Sequence, residues 1–136
     1  MPDLGSGMTR ILVADDSDLV RRSVCELLRS TLDFQVVGEA ADGMEAIARA
    51  TELQPDIVLL DVQMPNMNGI GAVKEILEAA PNSSIIFLTQ YASRHFGIEA
   101  RRMGAHGYVT KAHMATCLVH AIECAMDHEF YSSIAV

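Results

Sequence analysis

The amino-acid sequence predicts an α/β fold, a (βα)5 chain whose five strands form one doubly wound parallel sheet. Three observations predict it. Five short apolar runs recur at similar intervals, segments with helical spacing lie between them, and half of the residues are apolar while only 5% are aromatic. A core of Val, Ile, Leu, Met and Ala suits helices packed on both faces of a parallel sheet. With 136 residues the chain can bury such a core as one domain without disulfides or a structural metal.

The strands are read at residues 11–14, 34–37, 57–60, 85–88 and, more weakly, 107–109. The first, third and fourth are apolar without alternation, as expected of strands covered on both faces. The helical stripes are Val20, Val24, Leu27 and Leu28; Ala46, Ile47, Ala50 and Leu53; Ile70, Val73, Ile76 and Leu77; Phe96, Ala100 and Met103; and Cys117, Leu118, Ala121, Ile122 and Ala125. Ser17 and Asp42-Gly43 signal helix starts, while Gln54-Pro55 and Ala80-Pro81 signal ends. Strict alternation of strand and helix implies parallel pairing with right-handed crossovers. Residues 1–9, with Pro, Gly and Ser, are expected to be a flexible N-terminal segment; residues 10–131 form the domain, and 132–136 begin a C-terminal linker or tail.

Charge and cysteine usage narrow the function. Ten Lys plus Arg against eighteen Asp plus Glu give a formal charge of -8, so direct nucleic-acid binding by this chain is not expected. Cys25, Cys117 and Cys124 are odd in number and lack metal-ligand spacing. Cys117 and Cys124 would lie about 10 Å apart along one helix, beyond disulfide reach. A reducing cytoplasm is the expected location. No apolar run approaches the length of a membrane span, and residues 1–7 do not have the pattern of a signal peptide.

In an open parallel sheet the ligand site lies beyond the carboxyl ends of the strands. The first strand ends in Asp15-Asp16, the third in Asp61, the fourth in Thr89, and the fifth reaches Thr110-Lys111. Three converging carboxylates repel one another unless a cation sits among them, and an all-oxygen site with room for water suits Mg2+. Capping of the first helix would explain one of the acids at 15 and 16, but not both together with Asp61. A carboxylate such as Asp61 can attack phosphorus once a divalent cation neutralises the phosphoryl oxygens. Thr89 offers a hydroxyl donor, and Lys111 an ammonium that pairs with Asp61 before the reaction and with the phosphoryl group after it.

These residues, with Met64-Pro65, Asn68-Gly69, Gly104-Ala105 and Gly107-Tyr108, closely resemble the receiver domain of two-component response regulators. The resemblance covers the chain from about Arg10 to Tyr131. It implies a flavodoxin-like receiver fold in which Asp61 is the phosphorylated aspartate and a partner histidine kinase or phosphotransfer protein is the donor. It also implies that Asp16 and Asp61 ligate Mg2+ with the backbone carbonyl of Gln63, that Asp15 acts through a metal-bound water, and that Thr89 and Lys111 bind the phosphoryl group. Thr89 and Tyr108 are then the switch pair, Tyr108 turning inward as the readout, and Gln63 and Tyr91 tune the lifetime of the phosphoaspartate. Such a domain is a phosphoacceptor, not an enzyme beyond its own phosphorylation and dephosphorylation.

The sequence departs from the family at Lys111-Ala112, where proline is common. A cis bond there without proline would cost about 2.5 to 4 kcal/mol. Alanine at this place, Val37–Gly43 and the end from Glu129 resemble the subgroup with LuxR-type helix-turn-helix outputs, which implies transcriptional control through a DNA-binding domain that is not in this chain; a stand-alone receiver is the alternative. Two other classes fit poorly: Asp15-Asp16 would repel the phosphate of a flavin, and Gln63 stands where an aspartyl phosphohydrolase would need its second acid. The five histidines are read as solvated or structural, because His113 and His120 share a helical face without a third ligand. Val119, Met126 and Phe130 lie off the apolar stripe of the last helix, which leaves burial against the sheet and first helix, or an additional partner or self-association (homodimer) face, as its alternatives.

Overall fold

The computed structural model describes residues 7–64, 69–90 and 93–133. In chain order the elements are β1 (Thr9–Ala14), α1 (Asp18–Arg29), β2 (Phe34–Ala40), α2 (Gly43–Leu53), β3 (Ile57–Asp61), α3 (Gly69–Ala79), β4 (Ser84–Thr89), α4 (Arg94–Arg102), β5 (Gly107–Thr110), α5 (Met114–Met126) and β6 (Tyr131–Ser132). A 3-10 turn, Lys111–His113, joins β5 to α5. All strand pairs are parallel, in the order β2-β1-β3-β4-β5-β6. The expected α/β doubly wound fold is therefore present, with one strand more than the sequence suggests.

The apolar runs without alternation are explained by burial on both faces. Successive side chains of a strand point to opposite sides. Leu12, Val58, Leu60, Ile85 and Phe87 pack with Ala46 and Ala50 of α2, Val73 and Ile76 of α3, and Ala100 of α4. Their neighbours Ile11, Val13, Ile57, Leu59, Ile86 and Leu88 pack with Val24 and Leu28 of α1 and Leu118 and Ile122 of α5. Alternation is lost because neither face meets water.

Local signals start and stop the helices where the sequence indicates. Ser17 Oγ accepts from Val20 N at the start of α1, and Asp42 Oδ1 accepts from Glu45 N at the start of α2. Glu45 reaches back to Ala41 N at 2.6 Å, so two orphan amides are satisfied together. Gln54 takes the left-handed conformation, φ 48°, and closes α2 before Pro55. Ile70, expected on the buried stripe of α3, is 38% exposed; it stands in the first turn, at the rim of the layer.

β6 is the addition to the five expected strands. Past α5, His128 adopts φ 62°, and Glu129 N donates to Cys124 O at 2.8 Å. The chain then returns beside β5, pairing Tyr131 with Gly107 and Ser132 with Tyr108. Two residue pairs leave no apolar run to read in the sequence. Of the off-stripe residues, Val119 packs on the α1/α5 core, Phe130 lies beneath Arg101 at 5.2 Å, and Met126 remains 42% exposed.

Leu59 sits at the centre of this sheet and is fully buried. Leu59→Ala is expected to cost about 2 to 5 kcal/mol, read as a lower urea midpoint with an unchanged slope.

Candidate functional site

Register brings the acidic residues together. Ala14 of β1 pairs with Leu60 of β3, so the next residues, Asp15 and Asp61, emerge side by side. The strand order reverses here, since β1 leads outward to β2 while β3 lies on its other side; such a switch point leaves an open crevice at the carboxyl ends. Carboxylate oxygens of Asp15, Asp16 and Asp61 lie within 4.8 Å of one another. Asp15 and Asp61 are buried, and Asp16 is exposed.

One cation serves the two buried acids. Lys111 Nζ lies 2.8 Å from Asp15 Oδ2 and 3.4 Å from Asp61 Oδ1, with 15% of its side chain exposed. Asp15 Oδ2 has this ion pair but no well-directed hydrogen bond. Asp15 Oδ1 accepts from Ser17 N at 2.9 Å, and Asp61 Oδ1 from Gln63 N at 3.2 Å. Burial, then the charge of Asp15, pushes the Asp61 carboxyl up from 3.8 to about 6, against the pull of the Gln63 amide and Lys111. Burial disfavours the Lys111 ammonium, yet its bonds to Asp15 and Asp61 hold its pKa above the ordinary value.

A pocket of about 300 Å3 opens over these groups, lined by Asp16, Ser17, Val20, Asp61, Gln63, Thr89, Gln90 and Lys111. Thr89 is buried at the end of β4. Three carboxylates face one ammonium, which leaves two negative charges, the charge of one divalent cation. The incompletely bonded Asp15 Oδ2 and the exposed Asp16 carboxylate fit a site for a hard cation with oxygen ligands. A larger cavity, about 540 Å3, lies at the amino ends of β1 and β2 and contains none of the expected site residues.

This arrangement is that of a known family. A family model described as "Response regulator receiver domain" matches residues 11–123. The chain belongs to the response regulator receiver family. A curated relative, the "Uncharacterized transcriptional regulatory protein YxjL" of Bacillus subtilis, is 40% identical over 120 residues, covering 88% of this chain and 55% of the relative. The response regulator GacA of Pseudomonas viridiflava is 36% identical over 126 residues, covering 93% of this chain and 59% of the relative. This receiver chain thus spans a little over half the length of both. Among solved structures, a two-component response regulator of the LuxR family from Aurantimonas sp. SI85-9A1 is 34% identical with a TM-score of 0.86, covering 91% of this chain and 89% of that one. The response regulator domain of Thermotoga maritima CheB is 36% identical with a TM-score of 0.82, covering 88% and 97%.

Of the expected site residues, Asp16, Asp61, Gln63, Thr89 and Lys111 line this receiver pocket, and the fully buried Asp15 meets them through the carboxylate cluster and Lys111. Tyr108 stands one strand over, fully buried, its hydroxyl accepting from Ser93 N at 2.8 Å and its ring edge-on to Phe96 at 5.1 Å. Its ring faces inward in this structure. Tyr91 and the loop residues Pro65 and Asn68 lie outside the described residues. Lys111–Ala112 is trans, since the described residues contain no cis peptide; Thr110 Oγ1 and His113 Nδ1, 2.6 Å apart, brace the turn.

Sequence reasoning missed Val20 as a pocket wall and Arg21 as a brace. Arg21 donates to the Asp15 carbonyl and pairs with Asp18 and Glu39. The helical stripe marks Val20 only as apolar, and nothing in the spacing distinguishes Arg21 from a solvated arginine.

The pKa of Asp61 gives a signed prediction. A carboxyl raised on folding favours the folded state below about pH 4, and that contribution is lost as the pH rises through about 6. In metal-free buffer, Asp61→Asn is therefore expected to gain thermal stability over the wild type between these values. A pH-independent difference would contradict the assignment.

Proposed function

We propose that this chain is the phosphoacceptor switch of a two-component signalling protein, with Asp61 as the residue that takes the phosphoryl group. The observation that carries this reading is the Lys111 ammonium shared by Asp15 and Asp61 at 2.8 and 3.4 Å beneath an open pocket. An Asp61 carboxylate oxygen attacks phosphorus, the bond from phosphorus to the donor's histidine nitrogen breaks, and an acyl phosphate forms on Asp61. Asp16 and Asp61, the carbonyl of Gln63, and Asp15 through water would hold Mg2+, which supplies charge neutralisation at the phosphoryl oxygens. Lys111 and the Thr89 hydroxyl bind the new oxygens.

The readout runs through Thr89 and Tyr108. With Tyr108 inward and its hydroxyl on Ser93 N, the N-cap of α4, the structure supports a switch in which phosphorylation biases an arrangement already accessible. Gln63 flanks the pocket and, with Tyr91, sets the lifetime of the phosphoaspartate. A cytoplasmic histidine kinase or phosphotransfer protein is the donor, and the chain itself acts as a signalling domain rather than an enzyme. Residues 10–131 form the receiver unit. The transcriptional regulatory proteins among the relatives favour an output through a LuxR-type DNA-binding domain following residues 132–136, with homodimerisation as its companion. A stand-alone receiver acting by protein contacts is the second reading, favoured by the 36% identity to the chemotaxis protein CheY of Thermotoga maritima, of which this chain covers 93%.

Intact mass after incubation with Mg2+ and a small phosphoryl donor tests the acceptor. One phosphoryl adduct is expected on the wild type and none on Asp61→Asn; an equal adduct on both would overturn the reading. Thr89→Ala is expected to slow adduct formation about tenfold or more through loss of a donor to the transferring group.

A further inference from the structure

β6 joins the pocket to the end of the described chain through one residue. Thr110 N donates to Ser133 Oγ at 3.0 Å, and Ser133 N donates to Tyr108 O at 3.0 Å. Thr110 immediately precedes Lys111, the cation shared by Asp15 and Asp61, and Tyr108 is the proposed readout. Two residues of one strand thus hold Ser133, and both neighbour groups that act in the switch.

The strand is also built to dock reversibly. Its ladder is two residue pairs long, and Tyr131, Ser132 and Ser133 are only half-buried. The Tyr131 ring rests edge-on against His120 at 5.2 Å. So short a strand at a sheet edge lies at the low end of local stability.

We propose that Ser133 is a positioning residue that restrains the Thr110–Lys111 end of β5, so that docking of β6 opposes phosphorylation of Asp61 and phosphorylation releases β6. The inference rests on Asp61 being the phosphoacceptor. Phosphorylation turns the Asp61 carboxylate into an acyl phosphate that carries close to two negative charges, about one more than before, with three acceptor oxygens in the pocket. It draws Lys111 off Asp15, and the displacement falls on Thr110. A charge-assisted bond from Lys111 to phosphoryl oxygen outweighs the neutral bond from Thr110 N to the serine hydroxyl, so the neutral bond yields. Because coupling between two equilibria is reciprocal, removing the hydroxyl favours the phosphorylated state. β6 runs parallel to β5, which puts Ser133 at the same end of the sheet as Asp61, where its release changes the surface beside the pocket.

Amide hydrogen exchange on the full chain with Mg2+, with and without beryllium fluoride as a phosphoryl mimic, tests this. Exchange at Tyr131, Ser132, Ser133 and Thr110 is expected to rise about tenfold on saturation, while the central strands β1 and β3 stay protected. Ser133→Ala is expected to bind beryllium fluoride about threefold more tightly and Ser133→Thr, which keeps a hydroxyl, like the wild type. Binding of the mimic with exchange at β6 unchanged or slowed, or Ser133→Ala with wild-type affinity, overturns the inference while leaving Asp61 as acceptor. No binding of the mimic to the wild type overturns both.

Discussion

One ammonium held between two buried carboxylates organises this molecule's working end. Lys111 reaches Asp15 and Asp61 together, and with Asp16 nearby the cluster retains two uncompensated negative charges. Burying such charge is costly unless it is paired. The charge of the site suits a divalent cation, and burial together with the charge of Asp15 raises the Asp61 carboxyl. The parallel sheet exists, in functional terms, to hold these three strand ends in register against that repulsion.

The scaffold supplies rigidity where the charges converge. Ile11 to Ala14, Ile57 to Leu60 and Ile85 to Leu88 are fully buried, with helices on both faces. The residues that follow them inherit that fixed geometry. Arg21 on the Asp15 carbonyl and Ser17 N on the Asp15 carboxylate add local bracing. Towards β5 and β6 the restraint becomes lighter, ending in a two-pair ladder. A rigidly held carboxylate cluster beside a loosely held edge suits the proposed switch, because only a weakly held element can respond to one new group.

Most of this was legible in the sequence, and for physical reasons. Unbroken apolar runs declare strands buried on both sides, and once those strands are parallel, whatever follows each one must converge. The convergence of Asp15, Asp16, Asp61, Thr89 and Lys111 at one end of the sheet therefore follows from the sequence. Less legible were features that depend on tertiary approach. β6 has too few paired residues to form a pattern, and its docking rests on backbone and hydroxyl bonds to β5. The inward position of Tyr108 depends on Ser93 and Phe96, which no spacing rule relates to it. Arg21 resembles any exposed helical arginine until Glu39 and the Asp15 carbonyl are brought to it.

On the proposed reading, the carboxylate cluster is a cation site whose bound cation lets Asp61 accept a phosphoryl group. Titration of Mg2+ followed by backbone amide shifts tests it most directly. Saturable binding at one site is expected, with the largest shifts at Asp15, Asp16, Asp61 and Lys111, and with affinity sharply reduced in Asp16→Asn. No saturable binding, or binding that Asp16→Asn leaves intact, would contradict it.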